Sequence, residues 1–297
     1  MTNRRAELLL FLVTLLAAMG WVFSKNALAE ISPFQFIAMR FLLASLVLLL
    51  FCYSQFHQLN RDQLLRSVLT GIVFGFTLLL WVSGLQKTPF IGEGAFISSL
   101  TVVTVPIIGR LLFGSKLSLK LFVALVPAVA GLACLSLNQG FRFSPYQSLF
   151  LAATLGFSLH LNLSSYFVKN IPPMALATIQ LGMAGLIATV ATFLTEGWVA
   201  QLSATAWGWL LCSALLATSL RFALQTRALQ TLMPSHASMI FLAEPVWTAL
   251  LGAVLLSERM SLQQWFGCVL IFTALIIFRG GELVRYLLTR KRRQAAS

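Results

Sequence analysis

The segment Met233–Ser261, MPSHASMIFLAEPVWTALLGAVLLSERMS, decides the fold of this chain. About 20 residues, at 1.5 Å of rise each, cross the roughly 30 Å hydrocarbon core of a bilayer, so the segment can span a membrane as a helix. Its middle carries Glu244 and Pro245. A carboxylate at the bilayer centre costs about 2.5–3.5 kcal/mol and normally faces a wet cavity or a partner. Proline removes a backbone donor, which leaves a carbonyl near Phe241 in need of another partner.

An earlier segment repeats this one at an offset of 143 residues (240 − 97). Residues 97–118, ISSLTVVTVPIIGRLLFGSKLS, align with residues 240–261, IFLAEPVWTALLGAVLLSERMS. The alignment places Thr101 opposite Glu244 and Glu93 opposite His236, so both copies hold polar groups at matching depths. The alignment indicates an internal duplication. Its identical pairs are Ile97/Ile240, Val103/Val246, Gly109/Gly252, Leu112/Leu255 and Ser118/Ser261.

Further matches extend the duplication at an offset of 140 (173 − 33). They lie where the first and second helices of each half should join. The change in offset requires a short insertion in the second half. The matching pairs are Ser24/Ser164, Ile31/Ile171 and Pro33/Pro173.

The composition is that of a polytopic membrane protein. Of its 297 residues 59% are hydrophobic and 10% are charged, whereas about 25% of a soluble globular protein is charged. The four cysteines stand alone in apolar runs, without metal or disulfide spacing. The net charge of +13 lies in short connections and in the C-terminal RYLLTRKRR, which indicates topology and anionic lipid rather than nucleic acid. No GxxxxGK[ST] loop occurs, so we expect no ATP coupling, and no cofactor or metal site is predicted.

Ten apolar segments are separated by charges, prolines and polar clusters, and each predicts a membrane-spanning helix. No remaining segment is long enough to fold as a soluble domain. The predicted spans are residues 6–28, 33–54, 64–85, 90–113, 119–137, 146–168, 173–194, 204–229, 233–256 and 262–278.

Basic residues predict the orientation, because cytoplasmic loops are enriched in lysine and arginine. With a cytoplasmic N-terminus, 14 of the 21 basic residues lie on the cytoplasmic side, and Arg40, Arg110 and Arg221 fall inside spans. Both termini are then cytoplasmic. Five spans per half is an odd number, so the second half is inverted relative to the first, which is typical of alternating access. The prediction is an all-α integral membrane protein with repeats at 1–140 and 141–281 and a basic cytoplasmic tail at 282–297.

Two long segments carry a family resemblance: residues 20–50, GWVFSKNALAEISPFQFIAMRFLLASLVLLL, and residues 243–277, AEPVWTALLGAVLLSERMSLQQWFGCVLIFTALII. The most specific pieces are Arg40-Phe41 and Glu244-Pro245. With the basic tail, they make the chain similar to the EamA-like branch of the drug/metabolite transporter superfamily over nearly its whole length.

Two departures from the family pattern stand beside this resemblance. Residues 256–261 read LSERMS, where the family commonly has glycine at Ser257. The first half has Thr101-Val102 and Ser115-Lys116 where the family often repeats a proline and acidic pattern. The resemblance implies a metabolite carrier, often an exporter of amino acids or amphiphilic compounds, with a central cavity between its halves.

Two ionic residues inside spans are the principal candidates for transport. Glu244 could bind a cationic group or exchange a proton, and the alternative is a packing acid that orders a helix break at Pro245. Arg40 lies some two turns inside the second span. Its guanidinium fork suits a substrate carboxylate, or Glu244 in one access state. The alternatives are snorkelling and a fixed pair within the protein.

Several polar residues are secondary candidates for the transport site, beside Glu244 and Arg40. Glu93 and Thr101 share roughly one face of the fourth span, although Glu93 also suits a helix N-terminus. His160 and Asn162 cannot share a helix face, so one faces the cavity and the other bonds between helices. His236 is a candidate for proton coupling, because histidine is the side-chain type that most readily changes charge at physiological pH. A satisfied structural histidine is the alternative for His160 and His236.

Aromatic residues complete the candidate site. Trp21 and Trp247 lie on helices with other candidates, where they can stack on a ligand or make cation–π contacts. Lipid-facing bulk explains most of the other aromatic residues.

The predicted function is secondary transport of a small organic solute, with H⁺ as a candidate coupling ion, in the bacterial inner membrane. A membrane-embedded enzyme acting on a lipid-linked substrate, a channel and a receptor are the alternatives. An enzyme would need a cluster such as His with Asp, but the single aspartate, Asp62, falls in a loop. The sequence sets no oligomeric state, and a monomer fits it.

Overall fold

The computed structural model describes residues 2–56, 59–87, 97–115, 117–136, 145–199, 201–255 and 261–294. Within these ranges the chain forms helices and no strands, and the expected ten-helix fold is confirmed. The helices are α1 (Asn3–Ala27), α2 (Pro33–Phe56), α3 (Arg61–Lys87), α4 (Thr101–Phe113), α5 (Leu119–Ser136), α6 (Pro145–Phe167), α7 (Pro173–Thr195), α8 (Ala204–Leu229), α9 (Pro234–Phe241 and Ala243–Leu255) and α10 (Leu262–Gln294).

The outer faces of the helices are suited to lipid. Helices α1, α2, α3, α7 and α8 contain segments long and apolar enough to cross a membrane. Large apolar side chains such as Leu50, Leu111 and Leu194 lie exposed. Contiguous apolar surface of this kind marks contact with a membrane or another protein. The chain is therefore a multi-pass membrane protein.

The packing of the helices repeats between the two halves. Helix α1 packs on α8 and α9, and α6 packs on α3 and α4 in the corresponding way. Helix α2 pairs with α7, and α5 pairs with α10. Replacing each helix by the one five positions along reproduces these neighbours. Because the first unit crosses the membrane five times, the second unit starts on the opposite side and runs in the opposite direction. This is the predicted inverted repeat.

The interior is built from three apolar clusters that join different helices. The first lies among α2, α3, α7 and α8 and contains Phe41 and Phe74. The second joins α4, α5, α9 and α10. The third joins α1, α4, α6, α7, α8 and α9. Each cluster therefore includes helices of both repeats.

The insertion that changes the repeat offset lies between α7 and α8. Helices α2 and α7 start at Pro33 and Pro173, 140 residues apart, whereas α3 and α8 start at Arg61 and Ala204, 143 apart. The extra residues cover the start of α2. The Gln35 side chain donates from Nε2 to the Val199 carbonyl at 2.8 Å, and the Val199 N–H donates to Gln35 Oε1 at 2.9 Å.

The last helix is longer than its predicted span. Helix α10 continues from the apolar segment ending at Phe278 to Gln294. Charged residues end the hydropathy signal at residue 278, but leucine, arginine, lysine and glutamine favour helix, so the helix itself continues.

Candidate functional site

Helix α9 is broken near its middle. Its two parts meet at Leu242, three residues before Pro245, and the Leu242 N–H donates to the Met239 carbonyl at 3.2 Å in a tightened turn. Proline at 245 cannot donate to the Phe241 carbonyl one turn back, so the α-helical ladder is interrupted there. Discontinuous helices near the bilayer midplane are a feature of transporter binding sites.

The repeat-related place in the first half has a similar turn. The Leu100 N–H donates to the Ile97 carbonyl at 3.1 Å, and Thr101 begins α4 directly after it. Thr101 is partly buried. The sequence alignment placed Thr101 opposite Glu244, and the structure places Thr101 first and Glu244 second in the helical segment that follows each turn.

Helix α8 contains a π-helical segment at Leu215–Leu220. Two hydroxyls satisfy carbonyls five residues back: Thr218 Oγ1 donates to Ser213, and Ser219 Oγ to Ala214, both at 2.9 Å. Such segments are rare and frequent at functional sites, because the extra residue per turn redirects the side chains that follow. The residue that follows is Arg221. No proline or glycine lies in this segment, so the sequence carries no breaker signal for it.

Arg40 of α2 reaches this segment. Its Nε donates to Thr218 Oγ1 at 2.6 Å and its Nη2 to the Ala217 carbonyl at 3.4 Å. Its Nη1 donates to Ser24 Oγ of α1 at 3.0 Å. Three hydrogen bonds to two other helices hold this guanidinium, which favours the fixed intramolecular role that the sequence left open for Arg40.

Among the residues that the structure describes, the Glu244 side chain has two partners from different helices. Trp21 Nε1 of α1 donates to Glu244 Oε1 at 3.2 Å, and Arg221 Nη2 of α8 lies 3.7 Å from Glu244 Oε2. The side chains of Glu244 and Arg221 are each 24% exposed, so the pair is reachable from outside the packed interior. Among the described residues Arg221, and not Arg40, lies within salt-bridge distance of Glu244.

These four residues, Trp21, Arg40, Arg221 and Glu244, form what we call the ionic cluster. Arg40 is close enough to Arg221 and Glu244 to interact with both electrostatically. Helices α1 and α2 of the first repeat and α8 and α9 of the second contribute to it. The Trp21 ring also packs edge-on against Trp81 of α3, with centroids 5.4 Å apart. Arg221 was not a predicted site residue, although its place inside an apolar span was a signal for one.

The second repeat holds an uncharged counterpart of the Arg40 contact. Gln180 and Ser164 occupy the positions 140 residues after Arg40 and Ser24. Gln180 Nε2 donates to Ser164 Oγ at 3.0 Å, the same distance as from Arg40 Nη1 to Ser24 Oγ. His160 Nε2 lies 3.2 Å from Gln180 Oε1. The duplication thus preserves the geometry of this contact but not its charge.

Neither His160 nor Asn162 joins the ionic cluster. His160 is buried and stacks on Phe74 of α3, with centroids 4.3 Å apart. Asn162 is buried, and its Nδ2 donates to the Val105 carbonyl of α4 at 3.0 Å and the Ser158 carbonyl at 2.9 Å. Both side chains bond between helices, rather than one of them facing the cavity, and for His160 this arrangement fits the structural alternative.

His236 lies at the start of α9 and pairs with an acid that sequence reasoning missed. Its Nε2 is 3.2 Å from Glu7 Oε1 of α1, and the Glu7 side chain is 6% exposed. Glu7 falls in the first turns of the first span, where hydropathy alone assigns it to the membrane edge. The contact joins the two repeats at the end of the bundle where both helices begin.

Trp247 follows Glu244 by one turn of α9. Its Nε1 is buried and has no hydrogen-bond partner among the described residues. A buried indole N–H normally has a partner, so this donor is open to a ligand or water. Glu93, the remaining predicted site residue, lies outside the described residues.

The overall fold agrees with comparisons to known proteins. An uncharacterized transporter of Archaeoglobus fulgidus is 29% identical over 273 residues, covering 92% of this chain and 85% of its own length. A protein of known crystal structure shares the fold with a TM-score of 0.81 at 19% identity, covering 96% of this chain and 99% of its own. The EamA-like transporter family matches residues 4–137 and again residues 145–280. The chain belongs to the EamA-like transporter family.

Proposed function

We propose that this chain is a secondary carrier that exports a small organic solute, an amino acid or an amphiphilic metabolite, by alternating access between its two repeats. The observation that carries the proposal is the ionic cluster. Its charged groups come from both repeats and meet beside a helix break and a π-helical segment. Charged groups inside spans are costly and are retained where they line a substrate or ion pathway.

Alternating access requires structural elements that can adopt two arrangements. Two features of the chain are suited to this: the break in α9 and the Arg221–Glu244 contact. Leu242 separates the two parts of α9, so the part that carries Glu244 can tilt against the part that carries His236. The loose Arg221–Glu244 contact, at 3.7 Å, is longer than a hydrogen bond and leaves both groups able to exchange partners. A bound solute would stabilise one arrangement in proportion to its differential affinity for the two.

Proton coupling and membrane placement belong to the same proposal. Glu244 and the Glu7–His236 pair are sites at which a proton can be exchanged.

We place the protein in the bacterial inner membrane with both termini in the cytoplasm, because cytoplasmic connections then hold most basic residues. The basic residues after 281 would contact anionic lipid on that side.

The test is transport by purified protein in proteoliposomes, with radiolabelled amino acids as probes. We expect Glu244→Gln and Arg40→Ala each to reduce uptake at least about tenfold, the effect of losing roughly 1.4 kcal/mol of solute or transition-state binding. Folded yield in detergent should stay near that of the wild type for Glu244→Gln and should fall for Arg40→Ala, which removes three hydrogen bonds between helices, so uptake is compared per amount of folded protein.

Asp62→Asn and Arg110→Ala are the matched controls, since both residues are exposed and lie outside the ionic cluster. We expect these variants to transport at the wild-type rate. Wild-type flux from both cluster variants would assign Glu244 and Arg40 to structure. Large single-channel currents in a planar bilayer would favour a channel over a carrier.

A further inference from the structure

The two arginines of the ionic cluster differ in how far the protein satisfies them. Arg40 donates three hydrogen bonds, to Thr218, Ser24 and Ala217. Arg221 donates none to the described residues. Its contacts are the 3.7 Å approach to Glu244 and the Phe222 ring, whose centroid lies 5.7 Å from the guanidinium carbon.

Arg221 therefore has unused donors inside a membrane protein. A guanidinium has five N–H donors, and its Nε here is buried without a partner among the described residues. An unsatisfied buried donor costs about 1–3 kcal/mol, and more when it is charged. The 24% exposure of the side chain leaves its outer nitrogens open to a bound molecule.

The charges of the ionic cluster also indicate that a bound molecule contacts Arg221, and that this molecule is an anion. Arg40 and Arg221 carry two positive charges and Glu244 one negative charge, so the three groups sum to +1. A net positive charge among partly buried groups favours binding of an anion, because charges with little access to water are stabilised by pairing. One carboxylate brings the sum to zero. A phosphate monoester, with a charge of about −1.5 to −2, overshoots it.

Neighbouring groups add a donor and an acceptor. Trp247 Nε1, one turn after Glu244, and Gln225 Oε1, one turn after Arg221, are both buried without a partner among the described residues. The indole N–H can support an anion, and the amide oxygen can accept from an N–H of the same solute.

We propose that Arg221 is the residue that binds a carboxylate of the transported solute, and that Arg40 holds the π-helical segment that aims Arg221 at Glu244. This inference rests on the proposed carrier function and adds the chemical class of the solute and the residue that recognises it. A guanidinium suits a carboxylate because two parallel N–H groups match its two oxygens.

The experiment compares solutes that differ only in the charged group. The probes are 3-phenylpropionate, 3-phenylpropionamide and 2-phenylethyl phosphate, with leucine and leucinamide as a second pair. Binding is measured by the shift in melting temperature of the purified protein in detergent, and transport by uptake into proteoliposomes. We expect the wild type to favour each carboxylate over its amide by about tenfold or more, and to favour 3-phenylpropionate over the phosphate.

Arg221→Gln should reduce the carboxylate preference to less than about twofold, while Arg221→Lys should retain part of it, because lysine keeps the charge but not the fork. The matched control is Arg110→Gln, which removes an exposed arginine from α4 and should keep the full preference. The ratio between members of a pair does not depend on yield, so partial misfolding of a variant would not imitate the result.

Two outcomes overturn the inference. Transport by the wild type without preference for carboxylates contradicts it and leaves the carrier function standing. A carboxylate preference that Arg221→Gln leaves intact also contradicts it. Absence of binding and uptake for all probes, and for the amino acids tested above, counts against the carrier function and therefore against both proposals.

Discussion

At the scale of single residues, Thr218 links the two unusual features of the site. Its hydroxyl accepts from Arg40 Nε at 2.6 Å and donates to the Ser213 carbonyl at 2.9 Å, five residues back. One hydroxyl can do both because it has one donor and two acceptor lone pairs. It thereby satisfies a carbonyl just before the π-helical segment and orients the guanidinium of Arg40 in the other repeat.

Thr218→Val keeps the shape of this side chain and removes its hydroxyl. We expect the free energy of unfolding to fall by about 1–3 kcal/mol, because both the Arg40 Nε donor and the Ser213 carbonyl lose a partner. Solute uptake should fall with it, since Arg221 follows directly after this segment. The measurement is thermal unfolding in detergent together with uptake into proteoliposomes.

Thr273→Val is the matched control for Thr218. Thr273 is also a helical threonine that donates to a backbone carbonyl, that of Val269 at 2.8 Å, but it is exposed and outside the cluster. This variant should unfold and transport like the wild type. Equal losses in both variants would show that the effect comes from any helical threonine rather than from the Arg40 contact.

At the scale of helices, α3 and α7 are held together by a GxxxG pair. A Cβ on Gly71 would lie 2.7 Å from Met183 Cβ, and one on Gly75 would lie 2.7 Å from Ile187 Cδ1 and 3.1 Å from Ala184 Cα. Small residues allow such backbone approach between membrane helices, where dispersion contacts replace the hydrophobic effect as the driving force. This contact positions Gln180, opposite Gly71, for its bonds to Ser164 and His160.

Gly71→Ala should destabilise the fold, although alanine is the better helix former. The added methyl must displace Met183 and the α7 backbone at Gln180, and overpacking of this kind costs about 1–3 kcal/mol. We expect a lower melting temperature and a smaller monodisperse fraction in size-exclusion chromatography.

Gly208 of α8 provides the control for this helix contact, because a Cβ there would meet nothing within 4 Å. Gly208→Ala should raise stability slightly, by about 0.5–1 kcal/mol, through lower backbone entropy of the unfolded chain. A gain in stability for both variants would mean that α3 and α7 are not closely packed in the bilayer.

At the scale of the whole molecule, the Glu7–His236 contact joins the two repeats at one end of the bundle. In the proposed alternating-access cycle the repeats separate at that end in one of the two states, and the 3.2 Å contact would then break. The same end includes the beginnings of α1 and α9, helices that also carry Trp21 and Glu244.

A reversible cross-link at this position should stop transport. In a background without native cysteines, Glu7→Cys with His236→Cys should be joined by a short bifunctional methanethiosulfonate, and uptake should fall by more than about tenfold until a reductant restores it. Each single-cysteine variant treated with the same reagent is the control. Full uptake by the cross-linked protein would show that this end does not open during transport.

The sequence by itself determined the membrane class, the helix count and the duplication, because hydropathy and repeated side chains depend only on local composition and order. It also indicated Glu244 and Arg40 as ionic groups inside spans, and it located the break near Pro245 within three residues.

Partners and local distortions depended on the tertiary structure. The Trp21–Glu244, Arg221–Glu244 and Glu7–His236 contacts join residues more than 20 positions apart, and no periodicity in one segment encodes which helix packs on which. The π-helical segment contains no proline or glycine, so the sequence carries no signal for it. Hydrogen bonds from the Thr218 and Ser219 hydroxyls to carbonyls five residues back stabilise its geometry instead. Which of the two arginines makes fewer hydrogen bonds was also decided by the tertiary structure, because hydrogen-bond satisfaction depends on the neighbours that folding brings together.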